Sequence, residues 1–212
     1  MKADVPVRDA ATVMLVRDGR DGVEVFLMRR HLGAAFTPGA HVFPGGAVDA
    51  ADHELDGVDP FVVAAIRECF EEAGALLAYD ATDSFVDLRD PVTAARFETH
   101  GRAIHAGTLT MAELCAWERL RLATDALVPF GRRVTPPGAP RRYDTCFFVA
   151  RAPAHQALVH DDAELIESGW FLPADALARF ETGELDLIRP TQESLEHLAG
   201  LQSVDEILAS VV

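Results

Sequence analysis

The chain of 212 residues is long enough for one domain, or for a compact domain with an insertion. Its formal net charge of −15 excludes general nucleic-acid binding, although a divalent cation or a local basic patch still permits a small anionic substrate. The N-terminus lacks a signal-peptide core, apolar runs are too short to cross a membrane, and three scattered cysteines lack metal-type spacing, so we expect a cytoplasmic protein without membrane contact.

The first part of the chain reads as a hairpin followed by a glycine turn. Residues 11–17 and 23–30 have the composition of strands, and the stretch 18–22 between them has turn chemistry. Residues 41–43 are extended and lead into Pro44-Gly45-Gly46, where the backbone must turn sharply. The acidic residues 49–59 show no periodicity and are interpreted as a loop.

A helix is predicted over residues 60–73, because proline is tolerated in the first turn and Gly74 is a natural end. A short strand over 76–79 follows. Residues 81–135 read as an insertion with two helices, one over 92–104 and one that begins at a capping box formed by Thr110 and Glu113.

The rest of the chain alternates strands and helices without a regular βαβ rhythm. Strands are predicted over 142–151 and 165–172, and helices over 173–182, 191–199 and 203–211, the last with a capping box of Ser203 and Glu206. A mixed sheet with helices packed on it, an α/β fold, is therefore expected.

Three glutamates near the end of the helix over 60–73 point to a metal. Glu68, Glu71 and Glu72 stand at i, i+3 and i+4, so they share one patch where like charges repel and where the helix dipole disfavours anions. A divalent cation would relieve both effects, because hard cations prefer oxygen ligands. The alternative is a solvated acidic face. Arg67 precedes the cluster and can hold a carboxylate, and the turn at Gly46 can present a carbonyl.

These segments together resemble the Nudix signature, G-x5-E-x7-R-E-U-x-E-E-x-G-U. The matching run is Arg67-Glu68-Cys69-x-Glu71-Glu72-x-Gly74. Arg67 follows Gly46 by 21 positions where the signature requires 14, so seven extra residues lie between them. The early glutamate therefore has no fixed counterpart, and Asp52, Glu54 and Asp59 remain open as partners of Arg67.

The resemblance implies one Nudix domain over residues 1–212, a Nudix-type α/β/α sandwich with a mixed β-sheet and a helical insertion. The Nudix box lies at about 45–75. Mg²⁺ or Mn²⁺ is the implied cofactor, with Glu68 and Glu72 as ligands together with the Gly46 carbonyl. Glu71 is implied as a further ligand or as the base, and Arg67 is expected to brace the catalytic segment.

The lengthened loop, the insertion and the run over 141–148 resemble the acyl-coenzyme A diphosphatase branch of this family. The implied substrate is a small nucleoside diphosphate derivative, best matched by coenzyme A or an acyl-CoA, and hydrolysis is expected at its pyrophosphate. Alternatives are an ADP-ribose or NADH-type pyrophosphatase and a nucleotide-sensing domain without turnover. The resemblance leaves a homodimer open.

Four arginines at strand ends are candidates for binding substrate phosphates, because a guanidinium binds phosphate through two hydrogen bonds. They are Arg29, Arg30, Arg141 and Arg142, each with a solvated surface arginine as the alternative.

The resemblance also implies a further catalytic glutamate from a later loop, for which Glu164 is preferred and Glu167 comes second, with a solvated acidic turn as the alternative. His100 and His105 are interpreted as ordinary surface histidines.

Overall fold

The structure, a computed structural model, describes residues 5–33, 37–158 and 165–211. The strands within these ranges are β1 (Val7–Asp18), β2 (Val23–Arg30), β3 (His41–Val42), β4 (Gly45–Ala47), β5 (Ala78–Tyr79), β6 (Arg121–Leu122), β7 (Val128–Val134), β8 (Arg142–Arg151) and β9 (Leu165–Phe171). The helices are α1 (Pro60–Ala73), α2 (Pro91–His105), α3 (Met111–Glu118), α4 (Pro173–Glu181), α5 (Arg189–Leu198) and α6 (Val204–Ser210). Two short 3-10 helices lie at Ala50–His53 and Thr124–Ala126.

Seven of these strands form one mixed sheet. Its central path runs β3-β2-β1-β8-β7, with β4 added to β1 and β9 added to β2. β1 and β8 run parallel in a long register from Val7–Arg142 to Val16–Arg151, and the remaining pairs are antiparallel. The expected mixed sheet is confirmed.

Helices cover both faces of this sheet because the central strands are apolar on both sides. Along β1, Ala11, Val13 and Leu15 pack into the core under α1, whereas Met14 and Val16 pack into the core under α5 and α6. Each fully buried large aliphatic side chain contributes roughly 1.5–3 kcal/mol. The result is the α/β/α layering that the sequence led us to expect.

Local signals place α1 where it was predicted. The carboxylate of Asp59 accepts a hydrogen bond from the Phe61 N–H at 2.9 Å, and Pro60 occupies the first turn. Gly74 ends the helix in the left-handed conformation, with a φ of 65°. The segment with the three glutamates is therefore carried on a helix with well-defined ends.

The insertion is shorter than the predicted range 81–135. It contains α2, α3 and a small sheet of β5 with β6, but Val128–Val134 forms β7, an edge strand of the main sheet. Pro129 and Gly131 flank a register shift in β7, and these residues concealed the strand pattern in the sequence.

Smaller differences concern element ends. β1 begins at Val7, four residues earlier than predicted, because the pairing with β8 extends it. At α6 the Ser203 hydroxyl accepts from the Glu206 N–H, but the Glu206 carboxylate accepts from the Gln202 N–H, so only half of the predicted capping box forms. Across the described ranges, no helix combines the length and apolar character that crossing a bilayer requires.

Candidate functional site

Two hydrogen bonds join the glycine turn (Pro44-Gly45-Gly46) and its continuation to α1. The Gly45 N–H donates to Glu72 Oε2 at 2.9 Å. Two residues later, the Ala47 carbonyl accepts from Arg67 Nη2 at 2.8 Å. β4 itself pairs with β1, so the turn is fixed between the sheet and the helix.

Gly46 lies directly against the carboxylate of Glu68. A Cβ atom at this position would fall well inside van der Waals contact with both oxygens and with Cδ of Glu68. The glycine is thus required for close approach of the two segments rather than for an unusual φ angle. This contact places the turn next to the carboxylates, as the sequence predicted.

Arg67 is the centre of the site. Its Nε and Nη2 donate to the two oxygens of Asp52 at 2.9 and 3.0 Å, and both side chains are buried. The Asp49 N–H donates to the same Asp52 carboxylate at 2.8 Å, which is how the 3-10 helix Ala50–His53 turns this residue inward. Among the three acidic candidates, the partner of Arg67 is therefore Asp52.

The third nitrogen of this guanidinium lies between two glutamates. Arg67 Nη1 donates to Glu68 Oε1 at 2.8 Å and to Glu71 Oε1 at 3.1 Å. Burial, together with the charge of Glu71 and against the opposing effect of Arg67, raises the pKa of Glu68 to about 7. Burial acts against a charged Arg67, but the hydrogen bond with Asp52 and the surrounding carboxylates outweigh it and raise the pKa of Arg67. One guanidinium therefore donates to three carboxylates in a low-dielectric site, and a fourth, that of Asp49, lies 3.9 Å from its Nη2.

His105, interpreted as a surface residue from sequence, reaches this cluster from the insertion. Its Nδ1 lies 3.5 Å from Glu71 Oε2. The approach is set by α2, where Gly101 leaves room for the Phe70 ring at 3.6 Å from its Cβ position. Gly101 and His105 are four residues apart and share one helix face. The sequence signal was this spacing within α2, but nothing local indicated which helix it would face.

The donor chemistry of the cluster fits a hard divalent cation. Glu68 uses Oε1 for Arg67, whereas its Oε2 makes no hydrogen bond within the described ranges, and its side chain is 14% exposed. The carboxylates are otherwise engaged with protein donors, and the described residues contain no group of three or more acidic, histidine or cysteine side chains already arranged around a common point. Glu68, Glu71 and Glu72 thus offer suitable oxygen ligands that are held by Arg67 and Gly45 in this conformation.

The structure separates one of the four predicted arginines, Arg29, from the carboxylates. Arg29 donates to the Gly39 carbonyl at 3.3 Å and pairs with Glu167 at 3.8 Å. Its neighbour Leu27 packs in the core on the α5 side, so by strand alternation Arg29 and Glu167 lie on the face away from α1. Arg30, in contrast, pairs with Leu165, which packs in the core under α1. By the same alternation, Arg30 lies on the face that α1 covers.

Arg141 and Arg142 lie at the start of β8, beside the first residues of β1. They line a groove of about 360 Å³ together with Arg8 and Tyr143. Arg8 was not singled out from the sequence. Glu164, the preferred later glutamate, lies outside the described residues.

The geometry can be compared with known proteins. Residues 55–198 match the family model described as the NUDT19 Nudix domain. A crystal structure of a Nudix hydrolase from Alicyclobacillus acidocaldarius is 32% identical and has a TM-score of 0.79, and the match covers 98% of this chain and 97% of that one.

Curated relatives are more distant in sequence. The acyl-coenzyme A diphosphatase NUDT19 of Homo sapiens is 26% identical over 240 residues, which cover 88% of this chain and 63% of the relative. The putative nudix hydrolase 7 of Caenorhabditis elegans is 27% identical over 198 residues, which cover 93% of this chain and 62% of the relative. The chain thus spans less than two thirds of the length of these two proteins.

Proposed function

Because the chain belongs to the Nudix hydrolase family, with a Nudix domain of the NUDT19 type, we propose that it hydrolyses the pyrophosphate of coenzyme A or an acyl-CoA with the help of Mg²⁺ or Mn²⁺. The observation that carries the proposal is the partly buried group of Glu68, Glu71 and Glu72, which Arg67 and the glycine turn hold together. The similarity to proteins named acyl-coenzyme A diphosphatase supports the choice of substrate.

Each carboxylate has a distinct task in this proposal. Glu68 and Glu72 bind the cation together with the carbonyl of the adjacent turn. Glu71 accepts the proton of the attacking water; Arg67 donates to one of its oxygens, and His105 lies 3.5 Å from the other. A cation held there would neutralise phosphate oxygens and lower the pKa of the attacking water.

The reaction needs no covalent intermediate with the chain. The water oxygen forms a bond to one phosphorus, the bridging P–O bond breaks, and the bridging oxygen leaves with the other phosphate. Coenzyme A then gives 3′,5′-ADP and 4′-phosphopantetheine. The base and the fixed carboxylates contribute by positioning and electrostatic stabilisation, which dominate catalysis of phosphoryl transfer.

The test combines product analysis with metal binding. Wild type is incubated with Mg²⁺ or Mn²⁺ and coenzyme A, acetyl-CoA, ADP-ribose or NADH in H₂¹⁸O, and mass spectrometry identifies the products and the labelled phosphate. We expect 3′,5′-ADP and a phosphopantetheine species from the CoA compounds, at higher kcat/KM than for the other two. Faster turnover of ADP-ribose or NADH contradicts the substrate, and no turnover with any compound favours a sensing domain.

Calorimetry with Mn²⁺ tests the ligand assignment. Glu72→Gln removes one negative oxygen and should lower the affinity for Mn²⁺ at least about tenfold. Glu98→Gln, an exposed glutamate of α2, is the matched control and should bind as wild type does. Equal affinity in wild type and Glu72→Gln contradicts the assignment.

A further inference from the structure

The groove at the start of β1 and β8 combines cations from two segments that are distant in sequence. Arg8 lies on β1, and Arg141 and Arg142 lie at the entry of β8. Val7 pairs with Arg142, and Arg8 pairs with Tyr143, so the parallel register brings these residues together. With a volume of about 360 Å³, the groove is large enough for a small-molecule group.

Two of these arginines have no protein partner among the residues that the structure describes. Within the described ranges, the guanidinium groups of Arg8 and Arg141 form no hydrogen bond or ion pair. Other arginines of this acidic chain do have carboxylate partners: Arg17, Arg29, Arg67, Arg89, Arg96, Arg102, Arg121, Arg132, Arg133, Arg151, Arg179 and Arg189. In a protein of net charge −15, two unpaired arginines in one groove leave local positive charge for a ligand.

The walls of the groove are fixed in advance. Arg142 Nε donates to the Thr135 carbonyl at 3.2 Å, and its Nη1 donates to the Val5 carbonyl at 3.4 Å. The Tyr143 N–H donates to Thr135 Oγ1 at 3.1 Å. These bonds tie the β7–β8 connection to the segment before β1, so a ligand would not have to order the groove itself.

Among the described residues of these two strands, the carboxylates do not cancel this charge. Asp9 pairs in register with Asp144, and by strand alternation both point to the side of the sheet opposite to Arg8. The Asp144 carboxylate is already held by Arg132 through two hydrogen bonds of 2.6 and 2.9 Å. Arg8 and Arg141 therefore remain available to an anion.

The groove is close to the glycine turn. Ala10 of β1 pairs with Ala47 of β4, and Arg8 is two residues away, roughly 7 Å along the strand. Arg142 lies on the face that α1 covers, and Arg8 lies on the opposite face. The groove therefore runs round the end of the sheet from one face to the other.

From these observations we infer that Arg8 and Arg141 bind a phosphate monoester of the substrate, separate from the pyrophosphate that is cleaved. A dianion matches two unpaired guanidinium groups, each of which can bind phosphate through two hydrogen bonds. Coenzyme A carries such a group, its 3′-phosphate, whereas ADP-ribose and NADH do not. This inference rests on the proposed function and specifies which end of the substrate the groove selects.

Coenzyme A and dephospho-coenzyme A differ only in this phosphate and provide the test. In metal-free buffer with EDTA, calorimetry should show that wild type binds coenzyme A at least about tenfold more tightly. The double variant Arg8→Gln, Arg141→Gln should lose that difference and bind dephospho-coenzyme A as wild type does. With metal present, its KM should rise at least about tenfold for coenzyme A alone, with kcat unchanged.

Arg20→Gln is the matched control, because Arg20 is an exposed arginine in the turn at the other end of β1. It should behave as wild type, and all variants should keep the melting temperature. Equal wild-type affinity for the two compounds, or an equal loss for both in the double variant, overturns the inference. If wild type hydrolyses neither compound but still prefers the 3′-phosphate in EDTA, the groove is supported and the proposed activity fails.

Discussion

Arg67 and Arg151 both connect segments that are far apart in the chain, but they do so in opposite environments. Arg67 joins α1 to the acidic loop and the glycine turn with a side chain that is 9% exposed, and its partner Asp52 is 1% exposed. Arg151 joins the end of β8 to Asp18 and Asp205 with a side chain that is 43% exposed, at 2.8 and 2.7 Å.

Equal distances therefore do not imply equal energies. A buried ion pair that loses one partner leaves a charge without solvent, whereas an exposed pair returns both groups to water. Only the buried network also holds the carboxylates proposed to bind the cation. Both the stability and the function of the protein should therefore depend on Arg67. Neither should depend strongly on Arg151.

The largest effect is expected for Arg67→Ala. The change leaves Asp52 buried without a counter-charge and should lower the free energy of unfolding by about 3–5 kcal/mol. Activity should fall as well, because the turn and Glu71 lose their shared support. Urea denaturation and steady-state kinetics measure the two effects.

The acidic loop offers a direct check on the partner. Asp52→Asn should reproduce most of the Arg67→Ala loss, whereas Glu54→Gln, two residues along the same loop, should not. Arg151→Ala should cost at most about 1 kcal/mol. An Arg67→Ala variant with wild-type stability and a sharply raised KM would show that Arg67 contacts substrate instead.

The same contrast explains what could be predicted from sequence. α1, β2 and β8 were placed correctly because proline, glycine and local apolar patterns set them. The partner of Arg67 could not be chosen, because a lengthened loop makes positional counting ambiguous. Only the 3-10 helix at Ala50–His53 turns Asp52 inward.

Tertiary pairing limited the remaining predictions. β7 was read as part of the insertion because Pro129 and Gly131 obscure its alternation, and its pairing with β8 defines it. Arg29 was grouped with the other candidate arginines because β2 is apolar on both faces, so the sequence carries no sign of which face Arg29 occupies. The position of His105 beside Glu71 likewise depends on how α2 packs on α1, which the sequence does not indicate.

Two adjacent glycines should give a second, smaller effect that separates stability from function. In Gly45→Ala the new Cβ would lie 2.5 Å from the Ala11 carbonyl oxygen, so the backbone must shift, at a cost of about 1–3 kcal/mol. In Gly46→Ala the obstacle is the end of the Glu68 side chain, which can rotate away.

We therefore expect Gly46→Ala to lose less stability than Gly45→Ala but to bind Mn²⁺ more weakly, because Glu68 is displaced. Thermal unfolding and Mn²⁺ calorimetry on the two variants provide the comparison. Wild-type Mn²⁺ affinity in a folded Gly46→Ala protein would argue against Glu68 as a ligand.

The smallest effect is expected at the exposed network, where Asp18 also accepts from the Val204 N–H at the start of α6 at 2.9 Å. This backbone hydrogen bond and the hydrogen bond from Arg151 lower the pKa of Asp18. A carboxyl whose pKa is lower in the folded state stabilises the fold above its unfolded pKa, roughly 3.9, and loses this contribution as the pH falls through the folded value.

Asp18→Asn should thus be less stable than wild type at pH 7 by under about 1 kcal/mol. The difference should shrink at acidic pH, as the pH falls through the lowered pKa of Asp18, and should also shrink in 1 M NaCl, where exposed charges are screened. Urea denaturation at neutral and acidic pH and at both salt concentrations measures it. The Arg67→Ala loss should persist in high salt, so equal salt sensitivity of the two variants would remove the distinction between the buried and the exposed network.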